Sequence, residues 1–215
     1  MVKTKTKKVI ALLLDNEYKP KSKYELAKKA NCTPSWVLML TKTLEKKGLL
    51  KGLKVIKVKE LFELFNKTKP KKQETRAYTT YSIGGINELI KLLNKSKHEY
   101  ALTTYTAENL VQKHLFNHRT DIYIKKEDLE EWHKEFTKIG TYGGGNVKLI
   151  VATHDELFNK KQINQKGSQI TKKENTPWIV NTPQLISDLY TEGGPAKEAG
   201  DMLLEKLIKS LGAKK

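Results

Sequence analysis

The sequence predicts an α+β chain in two parts: a helical N-terminal part closed by a short β-ribbon, then a mixed α/β C-terminal domain. Three observations carry this. Residues 8–65 hold successive apolar stripes at helical spacing, with capping residues between them. From Ala77 onward, short β-branched and aromatic runs alternate with helical patterns. Positive charge gathers at one end: residues 1–75 carry 20 Lys against 7 acids, +13 of a total of +17. Residues 76–215 carry 21 basic and 17 acidic residues. Lysine-heavy codon usage explains why only Arg76 and Arg119 are arginine. It does not explain why acids are scarce in the first third. The asymmetry points to a polyanion met at the N-terminal end.

A length of 215 residues suits one large domain or two small ones. The longest apolar run, Val9 to Leu14, is too short to span a bilayer. The basic start (Lys3, Lys5, Lys7, Lys8) leads into an amphipathic helix, so no signal peptide is expected. The single cysteine, Cys32, excludes an internal disulfide and a cysteine-based zinc site. The expected location is cytoplasmic and nucleoid-associated, with no membrane partner.

Lys8 to Asp15 is predicted as a first helix, with Val9, Leu12 and Leu13 on one face. Tyr18-Lys19-Pro20 breaks it. Ser22 caps a second helix, and Glu25 three residues on completes a capping box. Asn31-Cys32-Thr33 is a turn, where Cys32 plugs a small apolar group into the core. Thr33 caps a third helix with Pro34 at its first position. Val37, Leu40 and Leu44 form its buried stripe, and Gly48 ends it. Leu49 to Val58 reads as a β-ribbon turning near Lys51-Gly52. Helix, helix, tight turn, helix, glycine and ribbon is the order of a winged helix-turn-helix. The segment from Glu25-Leu26-Ala27 through Thr33, Val37 and Leu40 to Leu44-Glu45-Lys46-Lys47-Gly48-Leu49-Leu50 resembles that family closely.

That resemblance implies a third helix lying in the major groove of duplex DNA. Its solvent face is Ser35, Trp36, Met39, Lys42, Thr43 and Lys46. Lys23 and Thr33 flank the turn, and Lys51 and Lys54 lie on the ribbon; these ten are the candidate DNA-binding residues. Trp36, Leu38 and Met39 admit two readings: contact with thymine methyls, or burial against this chain or a second copy. No arginine lies in the first 75 residues, so the commonest guanine contact is missing. Apolar contacts, and a lysine-rich arm over Val2 to Lys8 in a narrow minor groove, point to sites rich in A·T.

Val58 to Phe65 reads as a helix, giving a first domain over 1–66. Residues 67–76 (Lys67, Lys69, Pro70, Lys71, Lys72) read as a basic linker, a hinge or a phosphate-tracking strap. Residues 77–215 form the mixed α/β domain: helices over Ile86–Leu93, Ala107–Leu115, Glu127–Phe136, Pro183–Tyr190 and Pro195–Leu211. Strands are expected over Tyr100–Leu102, Asp121–Ile124, Val147–Val151 and Trp178–Val180.

The train Tyr100-Ala101-Leu102-Thr103, Asp121-Ile122-Tyr123-Ile124, Gly145-Asn146-Val147-Lys148-Leu149-Ile150, Val180-Asn181-Thr182-Pro183-Gln184-Leu185-Ile186-Ser187-Asp188-Leu189 and Gly193-Gly194-Pro195-Ala196-Lys197-Glu198-Ala199 resembles AbiEi-type proteins. These are winged-helix transcriptional regulators, described as antitoxins of type IV toxin–antitoxin systems. The resemblance implies sequence-specific binding of double-stranded DNA, repression of the chain's own operon, and a nucleotidyltransferase-like toxin as partner. A homodimer is a further expected partner state. Gln184 and Asp188, four apart on one helix, are candidate partner contacts, or else bond a neighbouring loop.

Catalytic patterns are sparse, so no enzyme, cofactor or metal is expected. His114 and His118 have i, i+4 spacing but no third ligand. Gly143-Gly144-Gly145 precedes a strand and lacks the Lys-Ser/Thr of a phosphate loop. Asp121 with Lys125 or Lys126 has no partner acid at a defined spacing. The rival readings are a nucleic-acid-processing enzyme with a cryptic site in 77–215, and a winged-helix protein-assembly module.

Overall fold

The computed structural model describes residues 2–67, 73–81, 85–153, 155–163 and 176–212. The chain is mixed α+β. Helix α1 (Val2–Leu13) is followed by α2 (Lys23–Lys29) and α3 (Pro34–Lys46), then by the ribbon β1 (Leu50–Lys51) and β2 (Lys54–Val55) and by α4 (Val58–Asn66). Ser22 Oγ accepts from the Glu25 backbone N–H at 3.1 Å, as the capping pattern predicts. Glu25 Oε2 reaches one residue further back, to the Lys21 N–H at 2.9 Å. Thr33 precedes α3 in extended backbone, but its hydroxyl makes no capping bond. Gly48 has φ +68°, the left-handed conformation that releases the chain into the ribbon.

The lysine-rich arm expected over Val2 to Lys8 is instead the first half of α1. Lys7 is buried, and Lys8 pairs with Asp155 at 3.0 Å. The reason is packing. Val9 to Leu14 are all buried, so α1 is surrounded by protein and not laid on a surface.

The second part is built on β3 (Thr75–Thr80), α5 (Ile86–Lys95), β4 (Tyr100–Thr103), α6 (Thr104–Val111), β5 (Thr120–Ile124), α7 (Leu129–Ile139), β6 (Gly140–Tyr142), β7 (Val147–Val151), β8 (Lys161–Gln162), β9 (Trp178–Ile179), α8 (Thr182–Glu192) and α9 (Gly194–Gly212). The strands form one mixed sheet in the order β6-β3-β7-β5-β4-β9-β8. The β5–β7 and β4–β9 pairs are parallel and the others antiparallel. Helix α7 packs on β3 and β6, while α6 packs on β4, β5 and α8.

Three strands were not legible. β3 begins inside the stretch assigned to the linker, of which residues 68–72 lie outside the described residues. β6 and β8 are two or three residues at the sheet edges. Helix α6 starts at Thr104 and stops at Val111, so His114 and His118 lie beyond it and their helical spacing does not apply. Thr104 takes φ +46°, costly for a β-branched residue, with its hydroxyl bonded to the buried Asp121 at 2.5 Å. Gly145 is a close-approach glycine: a Cβ there would collide with the Tyr78 carbonyl on β3.

The two parts share one apolar core. It runs from Val9 on α1 through Phe62 and Phe65 on α4 to Leu189 on α8 and Leu203 on α9. Phe62 meets Tyr190 edge-on at 5.8 Å between ring centroids. Asn66 accepts a hydrogen bond from Ser187 at 2.9 Å. Asp15, just past α1, pairs with Lys161 on β8 at 2.8 Å and accepts from Asn159 at 2.7 Å.

Candidate nucleic-acid interface

Helix α3 divides cleanly by burial. Val37, Thr41 and Leu44 face the core. Ser35, Leu38, Met39, Lys42, Thr43 and Lys46 are exposed. Leu38 is 41% and Met39 60% exposed, high for large apolar side chains. Trp36 is half-buried and packs on the core edge, so much of its ring is committed to the chain itself. The Thr43 hydroxyl donates to the Met39 carbonyl at 2.9 Å, which leaves its oxygen free as an acceptor. Thr33 is exposed at the head of the helix.

The charges on this unit are sorted. Lys23 on α2 reaches Glu45 on α3 at 3.5 Å and is half-buried, so it braces the two helices and is not a free cation. Glu25 is spent on the Lys21 backbone N–H, and Asp15 on Lys161. Lys42, Lys46, Lys51 and Lys54 are exposed, and none makes an ion pair with a described residue. Lys51 and Lys54 stand opposite each other in the ribbon, beside the turn at Gly52 with φ +63°. Exposed cations without anions, on a helix and an adjoining ribbon, can meet phosphates at little desolvation cost.

Cys32 in the turn is partly buried, with its thiol 3.4 Å from the Ala30 carbonyl. Burial raises its pKa, the behaviour of a packing group and not of a reactive thiolate.

Gln184 and Asp188 sit on one face of α8, as their spacing requires. That face turns inward: Gln184 is 3% exposed, and its amide donates to Asp188 at 2.7 Å. Asp188 also accepts from Thr103 at 2.6 Å and Tyr123 at 3.2 Å. Asp188 thus ties α8 to the chain's own β4 and β5, and Gln184 holds Asp188. Burial pushes the Asp188 carboxyl up to about 6, although the residue as a whole keeps some exposure. Sequence reasoning missed Lys7, Glu156 and Gln73, which join this network. Lysine spacing along α1 gives no hint that one cation faces inward.

Among the described residues no three His, Cys, Asp or Glu side chains are placed to hold a metal ion. His114 and His118 are exposed. Asp121 is bound to Arg119 and Thr104, not to Lys125, which pairs with Glu99 at 2.9 Å. Two open cavities of about 410 and 680 Å³ flank His98. His98 is tied to Asp128 at 2.7 Å, and Lys160 to Glu99 at 2.7 Å. No described helix is long and apolar enough to cross a membrane. In comparisons with known proteins, no family model matches this chain, and no curated protein or solved structure is significantly similar to it.

Proposed function

We propose that residues 1–66 form a winged helix-turn-helix that binds double-stranded DNA, and that the chain is a sequence-specific transcriptional regulator. One observation carries this reading: Lys42, Lys46, Lys51 and Lys54 are exposed on α3 and the adjoining ribbon with no ion pair among the described residues, while Asp15, Glu25 and Glu45 are occupied within the chain. In this reading α3 enters the major groove, with Ser35, Met39 and Thr43 toward base edges. The ribbon lysines and Lys46 meet phosphates. The AbiEi-type kinship, autorepression and a nucleotidyltransferase-like toxin partner extend the proposal on sequence resemblance alone.

The test is fluorescence anisotropy of labelled duplex with the full chain over a range of salt. Log affinity falling linearly with log salt, with a slope near about −0.9 per phosphate neutralised, supports the reading. No binding to any duplex at low salt rejects it.

Leu38, Met39 and Ile56, 41%, 60% and 51% exposed, favour a second reading in which the same unit is a protein-assembly module. Under that reading the chain self-associates through α3 and binds no duplex even at low salt, and Met39→Glu abolishes the association.

A further inference from the structure

Five buried side-chain atoms among the described residues lack a hydrogen-bond partner. Three of them, Lys7 Nζ, Asp155 Oδ2 and Gln184 Oε1, belong to the network around Asp188, where the Lys7 ammonium stands 5.0 Å from the centre of the Phe65 ring in the field of Glu156 and Asp188. Trp132 Nε1 lies elsewhere, beside open space. Trp132 is fully buried, yet it forms part of the wall of the larger cavity beside His98, about 680 Å³. An indole N–H is a donor only, and a buried one nearly always finds an acceptor. A cavity of this volume is the size of a small-molecule site.

Two helix faces make the walls. Glu88, Lys91 and Lys95 line the cavity from α5, at i, i+3 and i+7, while Leu89, Ile90 and Leu93 hold that helix to the core. Glu131, Trp132 and Glu135 line it from α7. Lys97 and His98, between α5 and β4, complete it. The acids are already matched: Glu131 pairs with Lys134 at 2.9 Å and Glu135 with Lys138 at 2.6 Å, both along α7, and Glu88 is engaged within the chain. His98 is fixed by Asp128 at 2.7 Å, with its ring edge-on to Trp132 at 5.9 Å between centroids. Lys91, Lys95 and Lys97 are exposed and make no ion pair with a described residue. The wall therefore offers three cations and one indole N–H without acceptors.

We infer that this cavity binds the phosphate group of a small phosphate monoester, with the Trp132 N–H donating to one oxygen and Lys91, Lys95 and Lys97 neutralising the charge. No arginine is among the described lining residues, so the planar two-pronged grip that suits a carboxylate is missing. Lysines act as point charges, and three of them match a dianion with three acceptor oxygens better than a monovalent carboxylate. The cavity exceeds a bare phosphate, which leaves room for a small organic body against Leu92. The site does not rest on the function proposed above, since no lysine of α3 or the ribbon lines it.

The test is NMR of the full chain labelled with nitrogen-15, following the indole N–H signals of its three tryptophans. Inorganic phosphate or glycerol 3-phosphate is added, with acetate at equal ionic strength as the control. Trp36→Phe and Trp178→Phe assign the Trp132 signal by elimination. Both phosphate compounds are expected to move that signal with saturation below about 10 mM, and acetate to leave it in place. Lys91→Gln combined with Lys95→Gln, both at exposed positions, is expected to weaken binding at least about tenfold. Lys51→Gln and Lys54→Gln are expected to leave it unchanged, which separates this site from the DNA-binding face. An unmoved Trp132 signal, an equal shift with acetate, or undiminished binding in the Lys91 and Lys95 double variant overturns the site. None of these outcomes bears on duplex binding, which is read separately by anisotropy.

Discussion

Lys51 and Lys54 are direct cross-strand partners at the end of the ribbon, so two like charges face each other one residue from its turn. Such a pair is unfavourable in the free chain. A polyanion relieves it. Lys51→Ala and Lys54→Ala are therefore expected to leave the melting temperature unchanged or slightly higher. Each should weaken binding to all duplexes about equally and make the salt slope shallower by about 1. Anisotropy on cognate and scrambled duplexes reads both effects. A changed preferred sequence would make the ribbon, not α3, the reader.

Thr43 and Ser35 test the helix. The Thr43 hydroxyl hydrogen is committed to the Met39 carbonyl, so toward a base Thr43 acts only as an acceptor. Thr43→Ala and Ser35→Ala are expected to cost discrimination between cognate and non-cognate duplexes while non-specific affinity stays within about twofold, since base contacts specify and phosphate contacts position. A uniform loss on all duplexes would assign both residues to the backbone.

Phe62 on α4 and Tyr190 on α8 join the two parts in one core. The full chain is therefore expected to unfold in a single transition by urea. Phe62→Ala should cost about 3–5 kcal/mol and still leave one transition. Two separated transitions would show that the parts fold independently. The shared core also means that deleting residues 1–75 exposes α8 and α9. Binding by the helical unit is better tested in the full chain with the lysine variants.

Asp15 sets part of the acid response. Burial pushes its carboxyl up, but hydrogen bonds from Lys161, the Glu17 backbone N–H and Asn159 outweigh burial and leave it below the ordinary 3.8. An acid lowered in the folded state contributes stability above its unfolded value, and that contribution is lost as pH falls through the lowered one. Asp15→Asn is expected to flatten urea-measured stability between about pH 4 and about pH 2. An unaltered acid limb would contradict the pairing with Lys161.

What the sequence revealed follows from period and punctuation. Ser22 with Glu25, Pro34, Gly48 and the Val37–Leu44 stripe are local signals, and α2, α3 and the ribbon lie where they point. Val147–Val151 was legible to the residue, because a buried central strand is rich in apolar residues, here Val147, Leu149, Ile150 and Val151 around a single Lys148. The misses are non-local. β6 and β8 exist because neighbouring strands offer them partners, and residues as ordinary as Gly140-Thr141-Tyr142 carry no such sign. Lys7 is the sharpest case at the site. Nothing in a basic, amphipathic stretch marks the one lysine that Phe65, Glu156 and Asp188 close over.

The absence of arginine from the first 75 residues leads to the last prediction. An arginine pair to guanine is worth about 1–3 kcal/mol of discrimination, and this unit has none to offer. The exposed apolar groups on α3 are Leu38 and Met39, with Trp36 partly drawn into the core. Met39 therefore suits a thymine methyl better than Trp36 does. With α1 folded against the body, its lysines are not a free arm to follow an adjacent minor groove, so under the proposed function the A·T preference is expected from α3. Selected sites from random duplexes are expected to be rich in A·T beneath α3. Met39→Ala should weaken that preference at one or two positions. Trp36→Ala should act chiefly on stability, through its core contacts. Lys42 is the residue able to defeat the argument, because lysine also contacts guanine. A G·C-rich consensus that disappears in Lys42→Ala would show that Lys42, not Met39, reads the site.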